Sequence, residues 1–545
     1  MMAVAVFAMV NPPPIQANSS AQDQGWSQPF LLSPGTQSSW FPDVATDATG
    51  RVHAVWATSI STGVGQAYDV VMYSSSQDGL TWSAAKDIVA LPSKGASTRP
   101  ALLADGLGWL HLTYRSYTVY YSQSPVAAVG AGSLATPQPI STPDNGYFSR
   151  VAIDKEGQLH LVYTENIQSL DCQGCFHVYY RQSDNNGAAW SRPVDISVLP
   201  AGAVKPQILV DEQDAIHVVW ESGEGGDLGQ LSGSAATQVM ATASYDRGRS
   251  WATPVQLAVF PNVAPTAAVA ASATTVVSTT RSSATPIATP VGPTPQVTPV
   301  VRSFKNIALG SNSHGQLVVA WLSVPEDQVY YQVSNDQGHT WSDPKLIPAV
   351  WGAWTVYEGR TDDYAMATDS MGLVHLLMVG RTAEKQDTLS VLHLAWDGSA
   401  WSKPEAITTL AGDVPEWPRA AIGLGNQLHV VWYVRDEAHI FGGEGASQYR
   451  VWVSQKLLSA PAVAPVVLPT AQASPAPSAQ PTEDLAMTPA PTLAATIPLS
   501  LTQDSAPGPN LVYNESDYLR VVGQSIVPAL VGVVLVVAAV RLFRR

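Results

Sequence analysis

One phrase recurs seven times along this chain and constrains its fold more than any other feature. It consists of an apolar strand, a turn with Asp and Gly, and an apolar-His-apolar strand that usually ends in an aromatic residue. The copies span residues 44–56, 101–114, 152–163, 207–220, 307–321, 365–378 and 420–432. They stand about 50–58 residues apart, except where a low-complexity stretch of roughly 40 residues intervenes. Self-similarity at such a period predicts a repeat architecture with one supersecondary unit per copy.

Each period also holds a third strand rich in Tyr and Val, and a fourth strand after a Trp-Ser-x-x-Pro-like phrase. Four short strands separated by turns, without helical periodicity, are typical of a propeller blade. The seventh copy stops after its third strand, at residues 449–454, and its missing phrase stands at residues 25–32. The sequence therefore predicts an all-β fold, a seven-bladed β-propeller over residues 25–457 that an N-terminal strand closes.

Histidine occupies one equivalent position in six of the copies, and Asp stands six places earlier in five of them. The histidines are His53, His111, His160, His217, His375 and His429, and the aspartates are Asp47, Asp105, Asp154, Asp211 and Asp369. Histidines spread over separate blades do not converge on one ion, so we predict neither a metal site nor a cofactor. Each histidine is expected to satisfy a partner between neighbouring sheets.

The turn between the third and fourth strands follows the pattern Ser-x-Asp-x-Gly-x-Thr/Ser-Trp. Blade four matches throughout with Asp246 and Trp251, and blade five matches with Asp336 and Trp341. In blade one, Gln77 stands at the Asp position. These turns resemble the Asp-box, in which the Asp accepts turn N–H groups and the Trp packs beneath the hairpin. The motif therefore predicts a structural role for these four residues.

With its boxes and repeats, the chain resembles the sialidase superfamily over roughly residues 25–457. Known members include exo-sialidases and many non-catalytic propellers. In the enzymes the resemblance implies six blades, a Phe/Tyr-Arg-Ile-Pro motif that supplies the first of three carboxylate-binding arginines, and a Tyr–Glu pair with an Asp. The nearest counterpart to the arginine motif here is Thr-Arg-Pro-Ala at residues 98–101. If the chain is an enzyme, the candidate catalytic groups are Tyr357, Glu358 and Asp362.

A propeller with four-stranded blades has two different faces. The turns between the first and second strands share one face with the Asp-boxes, and we call it the turn face. The blade-to-blade crossings and the loops between the second and third strands share the other, which we call the loop face. The long irregular segments fall on the loop face, which is therefore the predicted binding side.

Cationic side chains stand at or next to the start of five innermost strands, near the centre of the loop face. They are Arg99, Arg150, Lys205, Lys305 and Arg419. A ring of cations around a channel predicts a site for an anion or a carboxylate. Arg99, Arg150 and Arg360, the last from the polar segment 354–364, are the predicted ligand-binding arginines. Trp417 stands in the register of Phe41 and Phe148 and is predicted either to stack on a sugar or to plug the channel.

The C-terminal region departs in composition from the repeats. Residues 458–509 are built from Ala, Pro, Thr and Ser and predict a disordered stalk. Residues 521–540 are almost wholly apolar and predict one transmembrane helix. Three arginines lie in the tail 541–545, which is expected to stay in the cytoplasm, so the propeller is predicted to lie outside the cell.

Two other segments stand apart. Residues 261–301 have the texture of the stalk and predict a disordered insertion within the propeller. Residues 1–20 contain a short apolar run without the positive charge of a secretion signal, and are a candidate for a degraded export signal. The chain has two cysteines, Cys172 and Cys175, in one short loop, where they predict a local disulfide in an oxidising compartment or, alternatively, a redox pair.

Charge and architecture together narrow the partners. A net charge of −15, without a basic stripe, excludes a nucleic-acid partner. The preferred function is a membrane-anchored extracellular module that binds a glycan or a cell-surface protein through its loop face. The alternatives are a glycoside hydrolase of exo-sialidase type and an extracytoplasmic part of a larger assembly.

Overall fold

The protein is a seven-bladed β-propeller, which confirms the predicted all-β fold. The computed structural model describes residues 25–33, 37–61, 67–90, 99–168, 173–197, 201–223, 236–260, 302–354, 362–386, 388–409, 413–436, 438 and 449–468. Within them, 28 strands form seven antiparallel sheets of four strands each. A short 3-10 helix covers Val126–Ala128.

In blades one to six the strands follow chain order from the centre outward, and the first strands of successive blades contact one another. The N-terminal strand and blades one and two comprise β1 (Phe30–Leu31), β2 (Ser39–Thr46), β3 (Val52–Ser61), β4 (Ala67–Ser76), β5 (Lys86–Ala90), β6 (Ala101–Ala104), β7 (Trp109–Ser116), β8 (Thr118–Pro125) and β9 (Gln138–Pro139). Blades three and four comprise β10 (Gly146–Ile153), β11 (Leu159–Gln168), β12 (Gln173–Ser183), β13 (Val194–Asp195), β14 (Gly202–Val210), β15 (Ile216–Gly223), β16 (Gln238–Ser244) and β17 (Val255–Leu257).

The remaining blades follow the same order. Blades five to seven comprise β18 (Ser303–Ser311), β19 (Leu317–Val324), β20 (Gln328–Ser334), β21 (Lys345–Trp351), β22 (Ala365–Thr368), β23 (Val374–Gly380), β24 (Ser390–Trp396), β25 (Glu405–Thr409), β26 (Asp413–Gly423), β27 (Gln427–Asp436) and β28 (Arg450–Leu457).

Blade seven is completed from the N-terminus, as the missing fourth strand predicts. Strand β1 pairs antiparallel with β28, with Phe30 opposite Val453 and Leu31 opposite Trp452. The Ser27 amide donates to the Gln455 carbonyl at 2.8 Å, and the Leu32 amide donates to the Val451 carbonyl at 2.8 Å. The strand covers an edge of β28 that would otherwise be open to pairing with another chain.

The core lies between neighbouring blades, where alternate strand residues of one sheet meet those of the next. One such cluster joins Val162 and Tyr180 of blade three to Ile216, Val218 and Trp220 of blade four. The aromatic residue that ends the recurrent phrase is fully buried in most blades: Trp56, Tyr163, Trp220, Trp321 and Trp432. Large flat rings at this position fill the widening space between twisted sheets.

The Asp and His of the recurrent phrase meet within one blade, on the turn face. In blade one, Asp47 Oδ1 accepts the amide hydrogens of Thr49 and Arg51, and Oδ2 lies 3.1 Å from Nε2 of His53. The expected partner between sheets is therefore wrong, since the carboxylate comes from the turn that precedes the His. The same pair recurs at 2.8–3.5 Å in blades two, three, four and six.

Blade seven keeps the histidine without these partners. Gly423 replaces the Asp, and Val453 occupies the place of Tyr73, whose hydroxyl contacts His53 Nδ1 at 2.8 Å. Both ring nitrogens of the fully buried His429 lack a hydrogen-bond partner in the described part of the chain. Burial lowers the pKa of His429 to about 4 because a charged imidazolium would lose its hydration there.

The chain beyond β28 runs across the turn face. The Val463 amide donates to the Leu424 carbonyl and the Val466 amide to the Ala48 carbonyl, each at 2.7 Å. Leu468 then packs against the core between blades one and two. The first part of the predicted stalk, residues 458–468, therefore packs on the propeller and does not project from it.

Several predicted segments lie outside the described residues: 1–20, 261–301 and 521–545, with the stalk beyond Leu468. The insertion 261–301 falls between β17 of blade four and β18 of blade five, at a crossing on the loop face. In the part of the chain that the structure describes, no helix has the length and apolar character needed to cross a bilayer.

Candidate functional site

Five innermost strands begin with the same irregularity. Register breaks interrupt β2, β10, β14, β18 and β26 close to their loop-face ends. At each break one residue other than glycine has a positive φ between 45° and 56°: Phe41, Phe148, Lys205, Asn306 and Trp417. A bulge of this kind changes the direction in which a side chain points. A residue other than glycine keeps a left-handed backbone conformation only where the surrounding packing stabilises it.

Asp363 is the meeting point of four blades. Its Oδ2 accepts from Arg419 Nη2 at 2.7 Å, from Gln207 Nε2 at 3.1 Å and from Arg150 Nη2 at 3.4 Å. These residues come from blades six, seven, four and three, and blades that are not neighbours meet only near the propeller axis. We call this group, together with Asp362, Lys205, Arg99 and the three bulge aromatics Phe41, Phe148 and Trp417, the central hub.

Asp362 is a second junction within the hub. Oδ1 accepts the Trp417 amide hydrogen at 2.9 Å, and Oδ2 accepts from Asn306 Nδ2 at 3.3 Å. Its carbonyl accepts from Lys205 Nζ at 3.2 Å, and that ammonium lies 3.5 Å from the Glu221 carboxylate. The carboxylate is almost fully buried. Asp362, a predicted catalytic group, thus links blade six to blades four, five and seven in the structure.

Aromatic rings surround the Arg99 guanidinium. It lies 4.6 Å from the Phe41 ring centroid and 4.7 Å from that of Phe148. Phe41 also meets the Trp417 ring edge-on at 5.1 Å. All three rings are buried, and the choice between stacking on a sugar and plugging the channel stays a prediction. Stacking suits a guanidinium, which is planar and weakly hydrated.

Burial and neighbouring charges shift the pKa values of ionisable groups in the hub and on the strands beside it. Burial, together with the nearby cation Arg419, lowers the pKa of Arg150 to about 10. Burial raises the pKa of the Asp43 carboxyl, although Arg150 and Arg419 oppose that change. Burial also lowers the pKa of Lys305 to about 8, where the ammonium lies 4.7 Å from the Trp354 ring centroid. Each shift disfavours the charged form in a dry interior.

A rim of partly exposed aromatic side chains surrounds the hub on the loop face, and the sequence analysis missed it. Trp40 meets Tyr449 edge-on at 5.8 Å, and the Arg115 guanidinium lies 3.7 Å from the Tyr147 ring centroid. Trp354 lies where blade five leads into blade six. Trp40 and Tyr147 each precede a bulge aromatic by one residue, a shared register that the sequence does contain.

Part of the predicted site lies outside the described residues. Tyr357, Glu358 and Arg360 fall there, so their prediction stays open. Cys175 is disulfide-bonded, and the one other cysteine in the sequence, Cys172, lies outside the described residues. Among the described residues, no group of three or more His, Cys, Asp or Glu side chains is arranged to hold a metal ion.

The Asp-box residues close their turns. Asp246 accepts from the Ser250 amide at 2.8 Å, and Asp336 accepts from the Thr340 amide at 2.8 Å. Trp251 packs edge-on against Tyr180 at 4.8 Å, and Trp341 packs against the core between blades four and five.

In blade one the acceptor is one residue later than predicted. Asp78 accepts the amide hydrogens of Leu80 and Thr81, at 2.9 and 2.7 Å. The assignment of Gln77 to the Asp position is therefore wrong, because this turn is one residue shorter than the others.

No protein-family model and no curated protein matches the sequence. Among solved structures, a protein of unknown function from Dyadobacter fermentans superposes with a TM-score of 0.46 at 13% identity, over 79% of this chain and 98% of its own. NanB sialidase from Streptococcus pneumoniae gives 0.40 at 10% identity, over 78% and 70%. Trypanosoma rangeli sialidase gives 0.38 at 11% identity, over 77% and 55%.

Sialidases are thus among its structural neighbours. Identities and TM-scores at this level describe a shared fold type and transfer no functional residue.

Proposed function

We propose that this propeller is a binding module, and that its loop face recognises a glycan or a protein outside the cell. The observation that carries the proposal is the environment of Asp363. One of its two carboxylate oxygens, Oδ2, accepts hydrogen bonds from both Arg150 and Arg419. A substrate carboxylate would have to displace this internal one, whose side chain is 2% exposed. Breaking such buried pairs is costly, so the hub acts as a plug.

The rim of aromatic side chains around the hub favours a glycan over a protein as the partner. Trp40, Tyr147, Trp354 and Tyr449 are each partly exposed and come from different blades. Aromatic faces ringed by polar groups suit sugars, which carry apolar C–H faces between hydroxyls. The described chain ends on the opposite, turn face at Leu468. If residues 521–540 anchor the chain in a membrane, as we propose from the sequence, the loop face is free to meet a partner.

The second candidate is hydrolysis of a sialoside, for which Tyr357 and Glu358 would supply the reacting pair. One experiment separates the two functions. The full-length chain in detergent is applied to an array of neutral and acidic glycans and, in parallel, to fluorogenic sialosides. We expect array binding without release of the fluorophore.

Variants assign the array signal to the loop face. Trp40→Ala should remove binding, while Leu107→Ala, an exposed side chain on a turn-face hairpin, should leave it unchanged. Thermal melting checks that both variants fold. If the unaltered chain releases the fluorophore and Glu358→Gln does not, the proposal of a binding module is wrong and the protein is an enzyme.

A further inference from the structure

A groove lies between blades four and five, away from the central hub. One cavity of about 350 Å³ is lined by β17 and by the Asp-box of blade five, including Val255, Val259 and Trp341. A second, of about 240 Å³, shares Val255, His339 and Trp341 with it. We call the two together the inter-blade groove. The larger cavity lies within the size range of small-ligand sites.

An aromatic bridge forms one wall of the groove. Tyr245, from the Asp-box of blade four, reaches the Asp-box of blade five, where its hydroxyl donates to the Gln337 carbonyl at 2.9 Å. The same hydroxyl lies 2.7 Å from His339 Nδ1, and the two ring centroids are 4.5 Å apart. Tyr245 is 45% exposed and Val255 is 40% exposed. The wall therefore presents the aromatic ring of Tyr245 and the apolar side chain of Val255 in fixed positions, and no described residue covers them.

Polar groups with spare hydrogen-bonding capacity stand beside this wall. Gln256 and Asp343 are exposed, and neither side chain bonds to another described residue. In contrast, Gln332 is bonded on both sides, to the Ala258 amide and the Ser342 carbonyl, and braces the wall. A ligand with several hydroxyls would supply the missing partners.

The charge of the lining restricts the ligand further. Among the described residues, no Lys or Arg lines either cavity, and Asp343 contributes a negative charge. An acidic ligand would meet no compensating cation here, whereas the central hub is rich in them. From this combination we propose that the inter-blade groove binds an uncharged sugar residue, with an apolar face on Trp341 and Val255 and hydroxyls on Gln256 and Asp343. This site is separate from the loop face and is not needed for the function proposed above.

The test uses the full-length chain in detergent and two soluble probes, lactose and its sialylated form, with binding followed by saturation-transfer NMR. Val255→Asp places a second carboxylate in the groove and should weaken lactose binding at least about tenfold. Val194→Asp is the matched control, because Val194 occupies the same strand position in blade three and is 43% exposed. His339→Ala should also weaken binding, while Arg249→Ala, at the equivalent exposed position of the neighbouring box, should not.

Four results would overturn the proposal. Lactose could fail to bind the unaltered chain at millimolar concentration, Val255→Asp and Val194→Asp could weaken it equally, or the sialylated probe could bind the groove more tightly than lactose. Loss of lactose binding in Trp40→Ala with Val255→Asp unaffected would also overturn it, since it places the sugar on the loop face. The outcomes for the two faces are thus distinguishable.

Discussion

The two ends of the innermost strands are built in opposite ways. At the turn face, an Asp–His pair recurs beside the hairpin in five blades, with the carboxylate oxygen 2.8–3.5 Å from the imidazole nitrogen. At the loop face, the corresponding positions hold a different residue in nearly every blade: Phe41, Arg99, Phe148, Lys205, Asn306, Asp363 and Trp417. The repeated Asp–His contact stabilises each blade separately. The hub side chains instead bind partners in other blades, and together they form one centre without the symmetry of the repeat.

The largest expected loss of stability comes from removing the Asp363 carboxylate, on which the hub contacts converge. Asp363→Ala would leave Arg150 and Arg419 buried without their shared carboxylate, and should lower the free energy of unfolding by about 3–5 kcal/mol. Asp413→Ala, which breaks a more exposed pair with Arg450, should cost about 1 kcal/mol or less. Urea unfolding measures both. Equal losses would mean that the buried ion pairs of the hub contribute no more to stability than the more exposed Asp413–Arg450 pair.

At the turn face we expect smaller losses that agree between blades. Asp47→Ala removes the acceptor of two turn amides and of His53, which should cost about 1–3 kcal/mol. Asp105→Ala and Asp211→Ala remove the same contacts in blades two and four. Three similar values by urea unfolding would support the contrast with the hub, and a wide spread would contradict it.

His429, whose ring has no hydrogen-bond partner among the described residues, should make the turn face sensitive to pH. The pKa of His429 is about 4 in the folded chain and about 6.5 when unfolded, so the unfolded chain takes up the proton first. Stability from this group is present above pH 6.5 and is lost as the pH falls toward 4, by about 2 kcal/mol at pH 5.

His429→Leu should reduce the fall in stability between pH 7 and 5 by that amount, measured as urea midpoints at both pH values. Gly423→Asp is a second way to reduce it, because a carboxylate there restores the repeated pair. The Cβ at Gly423 would lie 3.7 Å from His429 Nε2. An unchanged pH profile in both variants would show that His429 titrates normally.

The smallest effect is expected at the crossing that carries residues 261–301. Excision of this segment should change the melting temperature very little, since the entropy of loop closure depends weakly on loop length. Differential scanning calorimetry of the excised and full chains gives the comparison. A marked loss of stability would show that the segment packs on the propeller.

The features that a single repeat encodes were predictable from the sequence. The blade count and the closing strand follow from a phrase that must bury one face against the next copy. The sequence predicted several members of the hub, its cations, its aromatic residues and Asp362, but not the contact between Arg150 and Asp363, which are 213 residues apart and meet only because of the bulges. The same limit applies to Asp78, where a turn one residue shorter moved the acceptor, and to the histidines, whose partner proved to be local.

The double pairing of β28 has a mechanical consequence. A force that pulls the chain beyond Leu468 first meets residues 458–468, whose bonds at Val466 and Val463 open one after another, as in peeling. It then reaches β28, which is bonded along one edge to β27 and along the other to β1. To slide out, this strand must break rungs on both edges together, so the load is borne in shear. The hydrogen bonds of β1 therefore help to hold β28 in place, so the N-terminal strand resists a force applied at the C-terminal side.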